Sequence, residues 1–182
     1  MPMYNNLLMK DSEVNEDYVK KFLSIGEVII ATEPTYIWTV LGSCVSVILF
    51  SLRKKASAIC HAQLVEKEFS TKVKQESEFN SKTEILKNDY RYLGRAINYM
   101  IDELLSLGIH RNEIVASIYG GGKIIKNLQD IGLENAESAV KILQDNDLRI
   151  VKKDIAGNKT RTIRHYSDTG ITQVKLLDPI SI

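Results

Sequence analysis

The chain has 182 residues, 44% of them hydrophobic, with 24 lysines and arginines against 23 acids. That length fits one domain with an ordinary core, and the near-neutral balance supplies no strong field for nucleic acid or an acidic membrane surface. Only two cysteines occur, Cys44 and Cys60, and neither a CxxC nor an HExxH spacing is present, so free thiols are expected, and no disulfide framework, metal site or cofactor. The start, MPMYNNLLMKDSEVNEDYVKK, lacks the basic, apolar and small-residue regions of a secretory signal. The longest apolar run, Val45 to Phe50, is far short of the roughly 20 residues of a membrane-spanning helix. A soluble cytoplasmic protein without membrane insertion is the expectation.

Residues 1–25 read as a leader, partly helical or mobile, with charged and scattered apolar positions over Asp11 to Ser24; the domain is expected over 26–182. Glu27 to Ala31, Ile37 to Leu41 and Cys44 to Phe50 have the Val, Ile and aromatic content of strands, and Ser57 to Val65 resumes the pattern after a basic break. Lys67 to Asn88 is polar and aperiodic, a surface excursion. Leu93, Ala96, Ile97, Met100, Ile101, Leu104 and Leu105 recur at helical spacing, with Asp89 as the expected N-cap and Gly108 as the stop. A strand over Glu113 to Tyr119 ends in Gly120, Gly121 and Gly122, and a short helix is expected over Lys123 to Asp130. Asn135 is read as the cap of a second helix to Gln144. Strands follow over Leu148 to Asp154, Thr160 to Tyr166 and Ile171 to Leu177, the last two joined by the turn SDTG. The order predicts an α+β fold with helices on one side of largely antiparallel sheet.

Chemistry concentrates where two strand-like runs flank the basic break. A four-residue loop over Ser51 to Lys54 pairs Phe50 with Lys55 and sets Cys44 directly opposite His61. Opposed side chains approach within about 5 Å, a slip of two residues leaves them diagonal on one face, and a slip of one separates them. A thiol beside an imidazole can attack a carbonyl while the ring moves the proton. Backbone amides of the Leu41-Gly42-Ser43-Cys44 turn could hold the oxyanion, and Thr39 or Ser43 could orient the ring. Against this stands the ordinary reading of buried free cysteine and hydrogen-bonded strand histidine as structure. Cys60 alternates to the other face, with Ala58 and Ala62, and reads as core. His110 is expected to face solvent after the helix stop. His165, in a strand that also carries Arg161 and Arg164, is placed on an exposed face.

From TVLGSCVSVILF, with His61 seventeen positions after Cys44, through IYGGGK, IGLENAESAVKIL and LRIVKKDIAGNKTRTI, the chain resembles the CheD family of chemoreceptor glutamine deamidases, over about Gly26 to Val174. The resemblance implies a layered α/β/β fold, Cys44 as nucleophile, His61 as general base and acid, and Thr39 as the residue that positions His61. It implies hydrolysis of glutamine side chains on methyl-accepting chemotaxis receptors to glutamate, through a cysteine thioester, and in some members a CheC phosphatase partner. Gly42 and Ser43 are the candidates for oxyanion or substrate positioning, and Gln63, Gly120 and Gly121 for substrate or partner contact. HAQLVE lacks the Leu-Pro that commonly follows the family's histidine. Two other readings compete: a binding module for the phosphatase with little activity, and another cysteine hydrolase such as a receptor methylesterase or a transglutaminase.

Overall fold

A computed structural model describes residues 16–65, 89–124 and 130–178. Its strands are β1 (Val19–Phe22), β2 (Val28–Ala31), β3 (Thr35–Leu41), β4 (Val45–Ser51), β5 (Ala56–Cys60), β6 (Val115–Gly120), β7 (Arg149–Ile155), β8 (Thr160–Tyr166) and β9 (Thr172–Leu177). Among the described residues two α-helices, α1 (Leu93–Ser106) and α2 (Ile131–Asp145), and a single 3-10 turn, Arg111–Glu113, accompany the strands. One sheet has the order β1-β3-β8-β9 and the other β2-β5-β4-β6-β7. Among the described strands, β1 with β3 and β6 with β7 pair in parallel and the others antiparallel. The result is the expected α+β fold: helices, five-stranded sheet and four-stranded sheet in three layers.

Strand β4 reads as a continuous apolar run because it lies in the middle layer, covered on both faces. Its Val45, Val47 and Leu49 join Ala58 and Cys60 of β5, Ile97, Met100 and Leu104 of α1, and Ala139 and Leu143 of α2 in one core. Ile48 faces the other way and packs with Ile37, Leu41, Ile59 and Ile163 between the sheets. Period-two alternation therefore divides one strand between two cores.

The expected apolar stripe of α1 is buried apart from the half-buried Leu105, and Gly108, at φ +73°, ends the helix as anticipated. Its cap is a correction: Tyr92 occupies the N-cap position without a side-chain bond, whereas Asp89 accepts from the Arg91 amide and guanidinium. The second cap is corrected too. Helix α2 starts five residues earlier than expected, capped by Asp130, whose Oδ1 accepts from the Leu133 amide at 3.0 Å. Asn135 lies inside the helix and is buried.

The helical reading of Asp11 to Ser24 is corrected in its described part, because Val19–Phe22 pairs with β3 as an edge strand. Phe22 meets Trp38 across that pair, with ring centroids 5.9 Å apart. His165 is likewise not exposed. Arg161, Ile163 and His165 alternate toward the inter-sheet layer, and all three are buried. Arg161 is reconciled with burial by an ion pair to Asp154 and a hydrogen bond to the Ala156 carbonyl. The polar stretch 67–88 lies outside the described residues, as does most of the expected helix at 123–130. Among the described residues, no helix is long and apolar enough to cross a membrane.

Candidate active site

The β4–β5 hairpin sets the geometry. Ser51 pairs with Ala56, Phe50 with Ser57 and Ile48 with Ile59, and an isolated bridge between Val45 and Ala62 continues that register. The loop is Leu52 to Lys55, one residue later than the expected SLRK, so every pair shifts by two. Cys44 falls opposite Gln63, and His61 lies diagonal to Cys44 on the same face. That is the two-residue slip that keeps thiol and imidazole on one side of the sheet. Both line a cavity of about 320 Å³, together with Gly42, Ser43, Gly122 and Ile131. Cys60 is fully buried in the helix-facing core and takes no part.

His61 is held from three directions. Its backbone amide donates to Glu27 O at 3.1 Å, and its carbonyl accepts from the Gly26 amide at 2.7 Å. Thr39 Oγ1, buried on β3, lies 2.8 Å from His61 Nδ1 and 2.7 Å from Leu23 O. A hydroxyl has one proton, and the Leu23 carbonyl can only accept it. Thr39 therefore donates to Leu23 and accepts from Nδ1–H, which assigns the tautomer with Nε2 unprotonated. Among the described residues, Nε2 is buried without a hydrogen-bond partner. Thr39, rather than Ser43, is the hydroxyl within hydrogen-bond distance of the ring. Leu23 and the cavity-lining Ile25 come from the stretch read as leader, whose contribution carries no motif.

Burial lowers the pKa of His61 from its ordinary value near 6.5, opposed by the Leu23 carbonyl. Burial raises that of Cys44 from near 9, opposed by its own backbone amide beside the sulfur. Both shifts favour neutral partners, a thiol and an imidazole, over a standing thiolate–imidazolium pair. The ring is poised to accept a proton as sulfur attacks.

The turn that carries Cys44 is pinned by its carbonyls. Gly42 O accepts from the Gly122 amide at 2.9 Å and Cys44 O from the Gly121 amide at 2.8 Å. Ser43 O accepts from Asn135 Nδ2 at 3.2 Å. Among the described residues, the Ser43 and Cys44 amides have no backbone carbonyl partner, so they are available to a ligand. Glycine is required behind this turn: a Cβ on Gly120, at φ +106°, would lie 2.3 Å from Cys44 O, and one on Gly121 2.6 Å from Gly132 O. Gly120 and Gly121 thus lie beneath the turn. Neither they nor Gln63 line the cavity. Asn135, taken as a cap in the sequence, reaches this site instead; its recurrence with Ala139 and Leu143 at four-residue spacing was the available signal.

The profile of the family described as CheD chemotactic sensory transduction matches residues 76–176. A protein of Maridesulfovibrio salexigens named probable chemoreceptor glutamine deamidase CheD is 28% identical over 169 residues, covering 89% of this chain and 94% of its own. A Methanococcus maripaludis protein of the same name is 30% identical, covering 78% and 84%. The probable chemoreceptor glutamine deamidase CheD 1 of Shewanella oneidensis is 31% identical, covering 85% and 71%.

Proposed function

The chain belongs to the CheD family, and from that premise we propose that it deamidates glutamine side chains of chemotaxis receptors, with Cys44 as nucleophile, His61 as base and acid, and Thr39 as the residue that positions His61. One observation carries the assignment of roles: His61 bonds Thr39 through Nδ1 and keeps Nε2 unpartnered in the cavity that Cys44 also lines.

In the first half-reaction His61 Nε2 takes the Cys44 proton as the sulfur adds to the amide carbon of glutamine. The carbonyl oxygen, now an oxyanion, is held by the Ser43 and Cys44 amides, with Gly42 allowing the close approach. Protonation of the amide nitrogen by His61 expels ammonia and leaves a thioester. In the second half-reaction neutral His61 takes a proton from water, the hydroxide adds to the thioester carbon, and collapse returns the thiol and a glutamate carboxylate. Water is the only co-reactant, and each turnover adds one negative charge to the receptor. A CheC-type phosphatase is proposed as a further partner on family resemblance.

Mass spectrometry of a receptor cytoplasmic fragment after incubation with the protein tests the reaction. The expected result is conversion of defined glutamines to glutamates with release of ammonia. Unchanged glutamines with folded protein and cognate receptor would overturn the proposal, methanol release would identify a methylesterase, and amine incorporation a transglutaminase.

A further inference from the structure

Asn135 occupies a position where its helix would ordinarily place an apolar side chain. Ala136, Ala139 and Leu143 are buried around it, yet at 1% exposure it buries a carboxamide, which is costly unless hydrogen-bonded. Both hydrogens of its amide nitrogen are used. Nδ2 lies 3.2 Å from Ser43 O and 3.0 Å from Gln63 O. One side chain on α2 therefore joins the turn that carries Cys44 to the segment that leaves His61.

The bond to Ser43 has a directional consequence. The Ser43 carbonyl and the Cys44 amide belong to one planar peptide unit, and in the trans form its C=O and N–H point in opposite directions; the described chain has no cis bonds. Drawing Ser43 O toward α2 turns the Cys44 N–H away from α2. The preceding unit is held in the same way, because Gly122 binds Gly42 O at 2.9 Å and so turns the Ser43 N–H outward. The Gly122 contact is backbone to backbone and uses no side chain; a Cβ there would lie 2.8 Å from Lys159 O. The Ser43 contact depends on a side chain, and a carboxylate in its place would set an acceptor against two acceptors.

We propose that Asn135 is a positioning residue for the reaction: by holding Ser43 O it fixes the Ser43–Cys44 peptide so that the Cys44 amide is preorganised as an oxyanion donor. This rests on the deamidase reading for its substrate, but the peptide geometry applies to any carbonyl attacked by Cys44. Asn135 touches neither thiol nor imidazole in this role. Its loss should weaken stabilisation of the tetrahedral state while leaving the nucleophile intact.

The experiment compares wild type with Asn135→Leu, which nearly conserves volume, and Asn135→Ala. It has three readouts on protein whose folding is checked by thermal unfolding. These are kcat and KM for ammonia release from a receptor fragment, the rate of Cys44 alkylation by iodoacetamide, and inhibition by butanal. Alkylation is a displacement at saturated carbon and forms no oxyanion. Butanal adds reversibly: the S–C bond forms, the C=O π bond opens to an alkoxide, and the thiol proton passes to His61, so that the adduct pairs an oxyanion with an imidazolium.

Removing one oxyanion donor costs about 100-fold or more in kcat. Since the Cys44 amide remains and only its positioning is lost, the expected result is a kcat loss of about 10- to 100-fold and a comparable loss of butanal affinity, with KM and alkylation rate within about threefold of wild type. Unchanged kcat and butanal affinity would overturn the proposal, as would a parallel fall of alkylation and kcat, or failure of both variants to fold. If wild type converts no receptor glutamine, the deamidase reading fails separately, and butanal affinity against alkylation rate alone decides the role of Asn135.

Discussion

Replacing Thr39 by valine preserves shape and removes the oxygen that accepts from His61 Nδ1–H. Without it the imidazole loses its fixed tautomer and orientation, and kcat is expected to fall about 10- to 100-fold with little change in KM, read from ammonia release. A variant with wild-type kcat would remove Thr39 from the mechanism. The pH dependence follows from the same environment. The competent protein carries a neutral His61, so kcat/KM rises through a pKa below 6.5 as the ring loses its proton. It stays on a plateau until a pKa above 9, where the thiol ionises without the ring and no proton is available for the leaving group. An acid limb centred above 6.5 in a pH–rate profile would contradict the assignment. Cys44 and His61 were legible as a pair because alternation puts them on one face for any even register. Asn135 was not, because asparagine near a helix start carries the same local signal whether it caps a terminus or reaches across to another segment.

Most strands were legible from composition and turn residues, since each is bounded by glycine, charge or SDTG. Hairpin register was less so. A four-residue loop was expected and found, but which four residues form it depends on Lys55, which adopts φ +49°, and on the closing pair Ser51–Ala56. Strand β1 was missed because four exposed residues, VKKF, lack an alternating apolar face and pair only by virtue of β3 beside them. His165 was misplaced because the preceding Arg161 and Arg164 outweighed its alternation with Ile163. It bridges the two sheets, Nε2 to Ser57 Oγ and Nδ1 to Thr172 Oγ1, each at 2.9 Å. Burial lowers its pKa to about 4 from an ordinary 6.5. The unfolded chain therefore takes up a proton first as pH falls. Stability is full above about 6.5 and declines toward pH 4, by on the order of 3 kcal/mol from this residue. His61 acts in the same direction. Urea unfolding across that window should show a flatter slope for His165→Gln than for wild type. An identical slope would show that His165 is not the group responsible.

The α+β class, with helices on one side of largely antiparallel sheet, was legible from the order and periodicity of the elements, whereas the layered α/β/β arrangement was implied only by the family resemblance. What that pattern could not convey is how distant segments meet at one turn. Leu23 from the stretch before β2, Thr39 from the four-stranded sheet, His61 after β5, the glycines after β6 and Asn135 from α2 all converge on Cys44 or its base. Such convergence arises from topology, with each residue locally unremarkable. The division of labour between the two cysteines condenses the account: Cys44 lines the cavity beside His61, while Cys60 is sealed in the opposite core, where burial raises its thiol pKa to about 12. The direct test is ammonia release from receptor fragments by wild type, Cys44→Ala and Cys60→Ala. The account predicts a loss of at least about 1,000-fold for Cys44→Ala and near-wild-type turnover for folded Cys60→Ala; full activity in Cys44→Ala, or loss only in Cys60→Ala, would contradict it.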